Sequence, residues 1–132
     1  MVDRIGEEIT LIKKYYNNLE HDESRRWMII HDYSLPKNMQ WNKNVIDVCF
    51  IIPNGYPGTS PYGIYVPSDL KYDEQVPNNI NPNLKDKPPF PGNWVLISWT
   101  PADRWNPNAE IQKGSNMLNF VRSFYDRFKS GR

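Results

Sequence analysis

The chain has 132 residues, a net charge of +1 and a single cysteine. That length fits one domain, taken as residues 1–132, with enough chain to bury a core. Near-zero charge argues against a dedicated nucleic-acid binder, one cysteine excludes a disulfide framework or a cysteine-rich zinc site, and no apolar run approaches the ~18 residues of a membrane span.

Residues 4–19 read as a helix, because Ile5, Ile9, Ile12, Tyr16 and Leu19 recur on one apolar stripe. Asp3, Glu7 and Glu8 near its start and Lys13 and Lys14 later suit the helix dipole. His21 to Ser24 is a polar break. Arg25 to Tyr33 reads as a strand centred on Trp27-Met28-Ile29-Ile30 and closed by Leu35-Pro36. Val45 to Ile52 is a second strand, Pro53-Asn54-Gly55 a turn, and Tyr62 to Val66 a third strand. All of the 12 prolines except Pro36 lie between Pro53 and Pro107, so long regular elements belong outside that stretch. Residues 67–93 therefore form a long proline-rich loop, a type of segment that often carries function. Trp94 to Trp99 is a fourth strand and Pro101 to Asn108 another loop. Ser115 then caps a last helix that buries Met117, Leu118, Val121, Phe124, Tyr125 and Phe128. The expected class is α+β: an N-terminal helix, a four-stranded antiparallel meander, and a C-terminal helix, with both helices on one sheet face.

Catalytic patterns are sparse. His21 and His31 are each followed by Asp, but a metal-dependent hydrolase needs more ligands, so both read as surface or half-buried histidines. Cys49 sits mid-strand between Val48 and Phe50, sharing a face with Asp47 and Ile51, and reads as a buried structural thiol. Ser98 lies in no Gly-x-Ser-x-Gly turn, and the seven glycines form no phosphate loop. Asp103 to Glu110 lacks the central glycine of a calcium loop and reads as a turn. No metal and no cofactor are expected.

One motif is more specific. Tyr56-Pro57-Gly58-Thr59-Ser60-Pro61 has the form Tyr-Pro-x-x-x-Pro between two strands, with Tyr56, Pro57 and Pro61 making it rigid. It resembles the signature of the ubiquitin-conjugating enzyme (UBC) superfamily, which includes catalytically dead variants and RWD domains. Trp105-Asn106-Pro107 before the last helix resembles the family's Trp-x-Pro element through Trp105 and Pro107. The order of elements is similar over nearly the whole chain, most of all to the prokaryotic family-E branch.

The resemblance implies a UBC-like fold. As partners it implies a ubiquitin-like protein and its ThiF-type activating enzyme, with neither nucleic acid nor membrane. It also implies a docking surface on the first helix, where Arg4, Lys13 and Lys14 are the partner-binding candidates. An active member carries a cysteine after the flap and a His-Pro-Asn triplet before it. Placed by Trp105, that cysteine falls near Ile97; placed by Asn81-Pro82-Asn83, it falls near Pro91, and no cysteine follows Cys49. The expectation is a non-catalytic binding protein of a bacterial ubiquitin-like system. The alternatives are a divergent enzyme carrying its thioester on Cys49 and an RWD-like adaptor. The opening residues Met1 to Arg4 resemble no secretory signal, so a cytoplasmic setting is expected.

Overall fold

A computed structural model describes residues 3–101 and 104–132; Met1, Val2, Ala102 and Asp103 lie outside the described residues. Helix α1 spans Arg4–Lys13, followed by strands β1 (Leu19–His21), β2 (Trp27–Ser34), β3 (Val45–Ile51), β4 (Ile64–Pro67), β5 (Ile80–Asn81) and β6 (Trp94–Ile97). A short 3-10 turn at Ile111–Lys113 precedes helix α2, Met117–Lys129. The architecture is α+β. One sheet runs in the order β1-β2-β3-β4-β6-β5, with every neighbouring pair antiparallel.

The four expected strands lie side by side as β2, β3, β4 and β6, but the sheet has six strands, not four. The helix expected over 4–19 stops at Lys13, and its last residue, Leu19, opens the first edge strand. Lys14 and Tyr15 donate back to Leu11 and Ile12 in tight i−3 turns, and Asn17-Asn18 favour a turn over continued helix. Leu19 keeps its helical spacing by coincidence: it is 3% exposed because β1 pairs with β2, Leu19 opposite Ile30. His21, expected in a polar break, ends that strand opposite Met28. Within the long loop, Ile80–Asn81 forms the other edge strand against Ile97 and Leu96.

The last helix is capped by Asn116, not Ser115. Asn116 and Asn119 exchange side-chain-to-backbone bonds of 2.9 and 3.0 Å, a reciprocal capping box. Ser115 instead accepts from the Asn106 backbone at 2.8 Å, fastening the preceding loop. Tyr125, expected in the core, is 43% exposed. The buried stripe is centred on Met117, Phe120, Phe124 and Phe128, which turns Tyr125 to the flank.

Both helices pack on one sheet face, where Ile9, Ile12, Phe120 and Phe124 meet Met28 and Phe50. The opposite face has its own apolar cluster of Trp27, Ile29, Cys49 and Tyr65. Among the described residues no helix packs on it; Leu84 and Phe90 of the proline-rich loop do.

Candidate functional site

The Tyr-Pro turn leaves β3 and returns as β4, with Cys49 opposite Tyr65. Its backbone is closed by Tyr56 N donating to Pro53 O and Thr59 N to Gly55 O. Gly55 sits at φ +83, a left-handed conformation that favours glycine. Pro57 is half-buried, Pro61 is buried and the Tyr56–Pro57 peptide is cis.

The Tyr56 hydroxyl passes under α1 and donates to both oxygens of Glu8, at 2.7 and 2.9 Å. Glu8 is fully buried. Its Oε1 also accepts the Met117 backbone N–H at 2.6 Å, and its Oε2 accepts Arg4 Nε at 2.8 Å. One carboxylate thus joins the Tyr-Pro turn, α1 and the first turn of α2, where negative charge is favoured by the helix dipole. Burial and the neighbouring Glu8 charge push the Tyr56 hydroxyl pKa upward, keeping it a donor.

Trp105 Nε1 donates to Pro57 O at 2.7 Å, and the Trp105 and Tyr56 rings lie 5.9 Å apart. Arg4 Nη1 reaches Asn108 O at 2.6 Å, just past the half-buried Pro107. The two sequence motifs therefore form one assembly, with Glu8 at its centre. Sequence reading assigned Glu8 only a dipole role. Its signal was its position, three residues after Ile5 and four before Ile12, on the apolar stripe itself.

Cys49 is fully buried in the second apolar cluster, between Ile29 and Tyr65 on the neighbouring strands. Burial, then the Asp47 charge, pushes its thiol far above the ordinary range. Such surroundings favour the protonated thiol over the thiolate. Ile97 is fully buried between Ile64 and Ile80, and Pro91 is exposed ahead of β6.

His31 is half-buried on that same face, between two carboxylates: Nε2 is 3.4 Å from Glu20 and Nδ1 is 3.3 Å from Asp47. Burial lowers its pKa, but the bonds and charges of Asp47 and Glu20 outweigh burial and leave it raised. His21 only contacts the Asp22 carbonyl at 2.8 Å. A histidine pKa raised on folding contributes stability that is fully present below the unfolded value of ~6.5 and is lost as pH rises through the folded value. Urea midpoints should therefore fall from about pH 6 to about pH 8 in the wild type and fall less in His31→Gln. Equal slopes in the two proteins would remove His31 from that dependence.

Of the partner-binding candidates, Lys13 and Lys14 are exposed, whereas Arg4 is drawn inward to Glu8 and Asn108. Among the described residues no group of three or more His, Cys, Asp or Glu is placed to hold a metal ion. The turn expected at 103–110 begins at Asp103, outside the described residues; its Glu110 pairs with Lys113 at 2.9 Å. No described helix is long and apolar enough to cross a membrane.

Comparison with protein-family models matches residues 10–88 to the family described as Prokaryotic E2 family E. The matched span runs from within α1 through β5 and includes the Tyr-Pro turn and Cys49, but not Trp105 or α2. No curated protein and no solved structure matches the chain.

Proposed function

The chain belongs to prokaryotic E2 family E, whose match covers more than half of it, and from that membership we propose a binding role without thioester chemistry. It is an E2-like protein of a prokaryotic ubiquitin-like system. In the proposed role it holds a ubiquitin-like protein or its ThiF-type activating enzyme non-covalently, through a single UBC-like domain in the cytoplasm. The observation that carries this reading is the state of the one cysteine. Cys49 lies at 0% exposure beneath Leu84 and Phe90, and the two placements that the resemblance suggests for an active member's cysteine fall near Pro91 and near Ile97, neither a cysteine.

The docking surface in this reading is the outward side of α1, presented by Lys13 and Lys14. Both are exposed and neither has an ion-pair partner among the described residues. Arg4 contributes by holding α1 in place, since its guanidinium bonds are internal. Interface charges act mainly on association rate and salt dependence. Reversing Lys13 and Lys14 to Glu should leave the melting temperature nearly unchanged and weaken capture of the activating enzyme. Raising salt should weaken the wild-type complex in parallel. Binding of the double variant at wild-type strength in low salt would move the docking surface elsewhere.

A further inference from the structure

A cleft of about 410 Å³ opens between the turn after α1, the C-terminal half of β2 and the outward side of α2. Its floor is aromatic: Tyr16 and Tyr33 stack with centroids 5.7 Å apart and planes only 7° from parallel. Tyr33 is locked there, its hydroxyl donating to Val121 O at 2.9 Å. The rim carries Tyr15 and Tyr125, 59% and 43% exposed, and the exposed amides Asn17 and Asn18.

Arg122 also lines the cleft, beside Tyr15. Its guanidinium carbon lies 4.6 Å from the centre of the Tyr15 ring. Stacking of this kind orders a guanidinium without occupying its N–H groups. Among the described residues Arg122 has no carboxylate partner, and the exposed Lys13 and Lys14 precede Tyr15 in the chain without lining the cleft. Asp32 is the cleft's one described carboxylate, and His31 at the same side is held by Glu20 and Asp47.

We infer that this cleft binds an extended acidic segment of a partner protein, seating a carboxylate on the Arg122 guanidinium that Tyr15 orders and an aromatic side chain against the exposed Tyr125 ring. Exposed tyrosines offer large contact area at low entropic cost, and a pre-ordered guanidinium matches a carboxylate with two parallel bonds. The asparagine amides supply donors and acceptors for peptide backbone. A nucleic acid fits less well, because a phosphate backbone calls for a run of cations, whereas the cleft lining has one arginine and no lysine and the chain's net charge is only +1. The inference deepens the binding role proposed above and rests on it only for the system from which the partner comes.

The test uses the full chain and a short fluorescein-labelled peptide alternating glutamate with phenylalanine, followed by fluorescence anisotropy at low salt. The wild type should bind it at least tenfold more tightly than the same peptide with glutamine for glutamate. Arg122→Gln and Tyr125→Ser should each weaken binding at least tenfold without moving the melting temperature, since both side chains are exposed. Lys113→Gln, whose lysine pairs with Glu110 outside the cleft, should bind as the wild type does. Unchanged binding by Arg122→Gln, no binding by the wild type, or equal binding of a labelled oligothymidylate would each overturn the inference. The assay contains neither activating enzyme nor ubiquitin-like protein. Failure here with Lys13- and Lys14-dependent capture intact would therefore remove the cleft and leave the proposed function standing.

Discussion

Glu8→Ala should lower the free energy of unfolding by about 3–5 kcal/mol, the range for removing one partner of a buried, hydrogen-bonded ion pair. The truncation takes one carboxylate away from three elements at once. It strands the Tyr56 hydroxyl, the Met117 backbone N–H and the Arg4 guanidinium, which is only 20% exposed. Each stranded polar group costs roughly 1–3 kcal/mol in its own right, partly recovered where water enters. Tyr56→Phe removes a single donor and keeps the ring on Trp105, so its cost should be about 1.5–3 kcal/mol, the value of a bond to a charged group. Urea denaturation of both variants measures this directly. A Glu8→Ala loss below about 1 kcal/mol, within the range of a surface change, would mean that the carboxylate does not hold these elements together.

Phe124→Ala should cost about 3–5 kcal/mol, the usual result of emptying a phenylalanine site in a core. Its ring is fully buried, with Phe120 at 5.0 Å and Phe50 and Tyr33 each at 5.8 Å. These neighbours belong to α2, β3 and β2, and pinned aromatic rings collapse poorly into a cavity. Tyr125→Ala, one residue on, should change stability by no more than about 0.5 kcal/mol, because that ring faces solvent. Equal costs at the two positions would contradict the helix orientation described above.

How much of this was legible beforehand depended on whether a residue's role was written in its own neighbourhood. β2, β3, β4 and β6 were readable because runs such as Val45–Ile51, apolar but for Asp47, are rich in β-branched residues, and proline and glycine follow in the turn. The edge strands were not. β1 has three residues and β5 two, too short for any alternation to appear. They exist because β2 and β6 present open backbone groups to pair with. The Tyr-Pro and Trp-x-Pro elements were legible singly. Their union was not, since Trp105 and Pro57 meet across 48 positions of sequence. His31 read as an ordinary half-buried histidine for the same reason: Glu20 and Asp47 come from neighbouring strands. Tyr125 shows the limit of helical periodicity, which finds the stripe but not the edge at which solvent begins.

The Tyr56–Glu8–Met117 assembly also bears on the proposed binding role. It fixes α1 against the sheet and α2, so Lys13, Lys14 and the Tyr15–Arg122–Tyr125 rim are displayed on a rigid frame. Binding surfaces gain from such preorganisation, because less freedom is lost on association. The second apolar cluster has the opposite effect on Cys49, sealing it beneath a loop on the face away from the helices.

The most direct test of non-catalytic binding is a charging reaction resolved without reducing agent. The protein is incubated with ATP, its ubiquitin-like protein and the activating enzyme, with charging of the activating enzyme as the positive control. A thioester would form by attack of a thiolate on the C-terminal carbonyl held as a thioester on the activating enzyme, displacing that enzyme's thiolate, and excess thiol would cleave the product in the same way. The account predicts no thiol-sensitive adduct on this chain, while the uncharged complex is still captured. A reducible adduct present in the wild type and absent in Cys49→Ser would contradict it and make Cys49 the catalytic residue.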